Sequence, residues 1–394
     1  MSHNGFDPTE TDLSLTGDFD DWLIETAVGE KTAADLHREL CEKLVSLGMP
    51  LWRSSLGLEL LNPEIEGSQI RWVAHEVKTL TMPRGFNTSD YDNSPAKVVD
   101  DTRRPFRRRL DAAVTDMPLL EELRRSGATD YYILPLPFID LQRTAHISYA
   151  TQRPGGFSDS EIADLTGASL LFSPYAERRV LKKITGDLLT TYVGRRSAAK
   201  VYEGAIDRGK AEIITAPILI ADLRGFTRYS DTHPIANVLS TLNDFFDALV
   251  EAIEPHGGEV LKFIGDALLA IFPAADSKSL PYAPAIAAAL DARKKIAALN
   301  EERAKSGRSL LKFGLALNVG EIAYGNIGSK TRLDFTAIGP AINHTSRLLE
   351  VAKKRNRDIV VSENFVRAAG SEFPNLGYHS LRDIAGEQKV FYIA

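Results

Sequence analysis

A chain of 394 residues with 44% hydrophobic and 25% charged residues is close to globular averages and long enough for two domains with their own cores. Its net charge of −6 argues against a general nucleic-acid or anionic-membrane binder, since such partners draw on an excess of Lys and Arg. A single cysteine, Cys41, excludes an internal disulfide, and no apolar run approaches the roughly 18 to 20 residues a membrane helix needs.

The first 20 residues are acidic and polar, without the basic start and apolar core of a signal peptide, so the chain reads as soluble and cytoplasmic. They also lack periodicity and read as a mobile or loosely docked arm. Leu36, Leu40, Leu44 and Leu47 recur at threes and fours, which predicts an amphipathic helix over 32–47. Leu56, Leu58 and Leu60 alternate with other residues, and QIRWVAHEV (69–77) is rich in strand formers. Strands are also predicted at 131–138 and 145–151, with a helix over 118–127 before them. RRPFRRRL (103–110) reads as a solvated face or loop before an anion site, and His146 as core or rim. Ser158 and Glu161 form a capping-box pattern, so a long helix should start there, bent or interrupted near Pro174.

After a polar, Gly-punctuated boundary at about 195–213, APILIADLRGFT reads as a buried strand running into Asp222 and a Gly turn. A helix follows from Pro234 to about Ile253, then a hairpin, EVLKFIGDALLAIF, with Gly265-Asp266 at its tip. A helix over 282–299, a strand in LKFGLALNVG, a hairpin through EIAYGNIG and a helix over 341–352 complete the pattern. Strand, helix, hairpin, helix, strand is a ferredoxin-like order, and the whole chain reads as α+β.

Two carboxylates at strand ends, Asp222 and Asp266, can converge across a sheet. Hard divalent cations take one or two such carboxylates and complete their shell with water and phosphate oxygens. Taken alone, either Asp reads as turn chemistry. The turn LRGFT offers backbone N–H groups of Gly225, Phe226 and Thr227 to phosphate. Lys262, on an otherwise apolar strand, needs a partner or an open cleft, and a continued pleat would put it on the face of Asp266. GNIGSKT is not a phosphate-binding loop, because Ser329 stands where the second Gly should be.

ADLRGFT, KFIGDALLAIF, NVGEIAYGNIG and TAIGPAINHTSRLLE, in this order and spacing, resemble the catalytic domain of class III nucleotidyl cyclases. The resemblance covers residues 210–394 and implies conversion of ATP or GTP into a 3′,5′-cyclic nucleotide and pyrophosphate. It implies that Asp222 and Asp266 bind two Mg²⁺ or Mn²⁺ ions per site. It also implies that Lys262 and Thr336 read the base, with threonine marking the class IIIb adenylyl subgroup. Asn343 and Arg347 are similarly implied to orient the ribose and stabilise the transition state. In this family the metal aspartates come from one chain and the other residues from its partner, which implies a homodimer with two symmetric sites. Arg382 and Lys389 are candidates for the β- and γ-phosphates. Residues 30–175 resemble a GAF-like sensory domain in their element pattern, preceded by an arm (1–29) and followed by a linker helix (176–209). The expected protein is a regulated adenylyl cyclase with an unnamed small-molecule or protein effector. Guanylyl cyclase and a catalytically silent nucleotide-binding module are the alternatives.

Overall fold

The computed structural model describes residues 17–85, 89–113, 116–139, 144–274 and 279–394. Two units divide the chain between Leu188 and Leu189.

The first unit runs α1 (Gly17–Ala27), α2 (Ala33–Ser46), β1 (Arg53–Glu59), β2 (Ile65–Val73), β3 (Glu76–Pro83), α3 (Ser89–Asp92), α4 (Pro95–Thr102), β4 (Phe106–Arg109), α5 (Pro118–Arg125), β5 (Asp130–Pro135) and β6 (Ala145–Thr151). It continues into α6 (Asp159–Val193). Its strands form one antiparallel sheet in the order β3-β2-β1-β6-β5-β4. Leu56, Ile70, Leu134 and Ile147 belong to a core shared with Leu36, Leu40 and Leu44 of α2 and with Leu165, Phe172 and Val180 of α6. Residues 17–27, expected in the arm, instead form α1, because Phe19, Leu23 and Ala27 lie one turn apart and bury in that unit. Thr32 and Asp35 cap α2 reciprocally, and Ser158 and Glu161 do the same for α6. Pro174 does not interrupt α6. The buried Phe172, Ala176 and Val180 around it offset the roughly 3 kcal/mol that an interior proline costs.

The basic run is partly solvated, with Arg103 and Arg104 exposed, and partly structural. Arg107 and Arg109 donate to one carboxylate oxygen of the fully buried Asp130 at 2.9 and 3.2 Å, and the Phe157 N–H donates to the same oxygen at 3.1 Å. Arg107 also reaches the Phe157 carbonyl at 2.6 Å. This cluster fastens β4 and β5 to the segment that starts α6. Asp130→Ala is expected to lower unfolding free energy by about 2 kcal/mol in urea denaturation. That is below the usual cost of breaking a buried pair, because both guanidiniums keep access to water.

The second unit contains α7 (Arg195–Tyr202), β7 (Ala211–Leu223), α8 (Phe226–Thr232), α9 (Ile235–Ile253), β8 (Glu259–Ile264), β9 (Ala267–Ile271), α10 (Tyr282–Lys305) and β10 (Phe313–Gly328). It then runs through β11 (Leu333–Ile338), α11 (Pro340–Lys354), β12 (Ile359–Ser362), α12 (Glu363–Ala369), β13 (Asn375–Ser380) and β14 (Glu387–Tyr392). Within the larger sheet the order β10-β7-β9-β8 is that of a ferredoxin-like motif, fourth strand beside first and third beside second. One face packs on the apolar sides of α9 and α10 through Phe245, Leu249, Ala288 and Ala292. The hairpin expected through EIAYGNIG forms with its turn farther along: residues 323–328 of β10 pair antiparallel with β11. β7 pairs with β10 continuously from Leu223 opposite Phe313 to Ala211 opposite Gly325, which holds that segment extended. The chain reverses later, where the Ser329 hydroxyl accepts the Thr331 and Arg332 N–H groups.

Candidate active site

The aspartates singled out in the sequence meet at one end of this sheet. Asp222 is the penultimate residue of β7, opposite Ala267 of β9 and Gly314 of β10. β9 lies beside β7, and only Gly265 and Asp266 join β8 to β9. Closing so tight a turn delivers Asp266 to the strand end that carries Asp222. Gly265 has φ +64°, a left-handed conformation that costs glycine no Cβ clash. The Leu223 N–H donates to the Asp266 carbonyl at 3.4 Å, which ties the tip to β7.

The two carboxyl groups are near enough for Asp266 to act on Asp222. Burial, followed by the hydrogen bond and charge of Asp266, pushes the Asp222 carboxyl up to about 7, against the opposing pull of Lys353 and Arg224. Two carboxylates this close are stable together only when a proton or a cation lies between them. No cluster of three His, Cys, Asp or Glu occurs among the described residues. A two-carboxylate set that leaves coordination to water and phosphate oxygens suits Mg²⁺ or Mn²⁺.

Lys262 forms no ion pair with Asp266 among the described residues. β8 ends at Ile264 and Asp266 lies in the turn, so the pleat assumed to carry Lys262 and Asp266 on one face stops short of Asp266. The Lys262 ammonium instead pairs with the Asp334 carboxylate of β11, and both groups remain partly open to water. Thr336, buried, lies two residues beyond Asp334 and so on the same face of β11. Asp334 escaped the sequence reading; its i, i+2 spacing from Thr336 was the available signal.

Asn343 and Arg347 lie on α11, one turn apart. Asn343 is exposed. Arg347 is held by Glu350 at 3.2 Å and Asp383 at 3.6 Å. Among the described residues, no hydrogen bond or ion pair joins either one to Asp222 or Asp266. Gly225 precedes α8, whose first residues are Phe226 and Thr227; Thr227 is exposed. Arg382 lies beside Asp383 at 3.5 Å, and Lys389 stands over the Phe391 ring. Arg224, also unforeseen, donates to the Ala352 carbonyl at 3.1 Å and to the Arg357 carbonyl, joining the end of β7 to the end of α11.

Residues 210–394 match the family model described as the adenylate and guanylate cyclase catalytic domain. An uncharacterized protein of Mycobacterium tuberculosis is 29% identical over 244 residues, 59% of this chain and 41% of the relative. The chain therefore spans about two-fifths of that relative's length. Among solved structures, the guanylyl cyclase Cya2 is 26% identical over 47% of this chain and 93% of that one, with a TM-score of 0.42. A bacterial light-regulated adenylyl cyclase is 25% identical over 46% and 91%, with a TM-score of 0.41.

Proposed function

We propose, from the premise that residues 210–394 are a class III nucleotidyl cyclase catalytic domain, that this domain converts ATP into 3′,5′-cyclic AMP and pyrophosphate in a homodimer. The observation that carries the reading is the Asp222–Asp266 carboxylate pair at the end of β7. These residues would hold two Mg²⁺ or Mn²⁺ ions, which when bound supply positive charge beside the ribose hydroxyl and the phosphates. The backbone N–H groups of Gly225, Phe226 and Thr227 are placed to receive phosphate oxygens. Asn343 orients the ribose, and Arg347 offsets negative charge gathering on the α-phosphate.

The choice of ATP rests on Lys262 and Thr336. An ammonium can only donate hydrogen bonds, so it suits the unprotonated N1 of adenine and not the N1–H of guanine. Two features support the dimer. Phe263 and Ile264 at the hairpin and Ile338 at the end of β11 are large apolar residues at 50%, 55% and 52% exposure, apolar surface that a second copy could cover. The metal aspartates and the Asn343–Arg347 pair also make no mutual contact within one chain, which suits a site completed by a second copy.

The N-terminal unit is read as a sensor for a small-molecule or protein effector. In the catalytic unit, the Ser197 N–H and hydroxyl of α7 donate to the buried Glu259 carboxylate at 3.0 and 2.9 Å, and Tyr324 donates to it as well. Glu259 opens β8, the strand that ends at the Asp266 turn. A displacement arriving through α6 and α7 thus has a mechanical path to the metal carboxylates.

Purified chain supplied with ATP and Mg²⁺ or Mn²⁺ is expected to form cyclic AMP in preference to cyclic GMP from GTP. Chelation of the metal should abolish the activity, and Asp222→Asn should lower it about 10² to 10³-fold. Absence of product from both nucleotides with both metals would sink the enzymatic reading.

A further inference from the structure

In the N-terminal unit one face of the sheet belongs to the core, while the face under α4 and α5 is partly polar and encloses a cavity of about 30 Å³. That volume exceeds what a single water requires. Arg53, Ser55, Gln69, Tyr131, His146 and Ser148 line it. Strand register explains their convergence: Ser55 lies opposite both Ser148 and Arg71, and Gly57 opposite both His146 and Gln69. These rows run across β2, β1 and β6.

Cationic charge on this face exceeds the carboxylate available to it. The Arg53 side chain is 10% exposed, and its one carboxylate within 4 Å among the described residues is Glu122, at 3.7 Å and 63% exposed. Burial and then the nearby Arg71 charge lower the Arg53 pKa. Arg71 forms no ion pair among the described residues. It donates to Gln69 at 3.2 Å, and its Nε is buried with no partner. Asp100 is engaged with His146, 3.6 Å from Nδ1, and accepts the Tyr91 hydroxyl at 2.8 Å. A buried guanidinium with only a distant, solvated counter-charge is costly unless something else neutralises it.

The imidazole lies across β1 because residue 57 is glycine. A Cβ there would stand 2.2 Å from His146 Nε2 and 2.5 Å from Cε1. Any other side chain would push the ring off the cavity wall.

We propose that this cavity binds a small oxyanion, inorganic phosphate or a short carboxylate, through the Arg53 guanidinium, with the Ser55 and Ser148 hydroxyls and His146 completing its wall. A guanidinium fork matches two oxygens of such an anion. The narrow volume favours an anion of a few heavy atoms over a nucleotide. The N-terminal unit then senses a small anionic metabolite.

Isothermal titration of the full chain with inorganic phosphate, and separately with acetate, tests this and separates the two anion types. Saturable binding of at least one is expected, weakened at least tenfold by Arg53→Gln and unchanged by Arg367→Gln, which alters an exposed residue of the other unit. Arg53→Gln should also melt no lower than wild type in anion-free buffer, since it removes a poorly neutralised buried charge. Should Arg53→Gln fail to fold, Gly57→Ala is the deciding variant, with the same tenfold loss expected. The proposal is overturned if neither anion binds, or if binding to the deciding variant stays within threefold of wild type.

Discussion

An Asp222→Ala chain mixed with an Arg347→Ala chain is expected to regain about a quarter of wild-type cyclic nucleotide synthesis, while each variant alone falls at least about 10²-fold. The figure follows from symmetry. If the chains pair at random, half of the dimers are mixed. In each mixed dimer one site receives both substitutions, and the other receives neither. The intact site combines Asp222 of one chain with Arg347 of the other. The geometry behind this is the separation of the two sets within a single chain: Asp222 engages Asp266, while Arg347 engages Glu350 and Asp383. A site formed wholly within one chain would leave the mixture as inactive as its components. Size-exclusion chromatography of the mixture, alongside the activity assay, separates failure to pair from failure to complement.

The resting contacts of Arg347 bear on the same experiment. Its guanidinium is about one-quarter exposed and is shared between two carboxylates in the isolated chain. Substrate phosphate must draw it away from both, and a phosphate oxyanion offers the stronger bidentate partner.

What could be read from the sequence was whatever depends on short spacing. Gly265-Asp266 between two apolar runs gave the hairpin and its tip, and Ser158 with Glu161 gave the start of α6. Strand order was also readable, since a strand-helix-hairpin-helix-strand series has few ways to pack. Less accessible was anything decided by a distant neighbour. β7 holds residues 321–325 of EIAYGNIG extended by pairing with them, and β11 pairs with residues 323–328, so the turn of the hairpin falls beyond the segment. Asp130 engages Arg107 and Arg109 from more than 20 positions away. Lys262 finds Asp334 across 72 positions, a partner that its own strand does not reveal. Phe19 and Leu23 were obscured by the acidic residues around them, although their spacing was that of a helix.

Replacement of Lys262 by glutamate is expected to lower kcat/KM for ATP by about 10²-fold or more, a loss typical of a removed, positioned polar contact. The same change should not by itself create efficient turnover of GTP. A carboxylate at position 262 is the right acceptor for the guanine N1–H, but it would stand where the ammonium now meets Asp334. Two carboxylates at that range repel, so one either takes a proton or swings away from the base. Lys262→Glu combined with Asp334→Asn removes the repulsion and leaves an amide able to donate to the new acceptor. The double variant should therefore turn over GTP at least about tenfold better than Lys262→Glu alone. Asp334→Asn by itself should weaken ATP turnover by about tenfold, because the ammonium loses the group that fixes its position. Steady-state kcat/KM for both nucleotides across the four proteins forms a double-mutant cycle. Equal GTP turnover by the single and double variants, with Asp334→Asn indistinguishable from wild type, would show that Asp334 has no part in base selection.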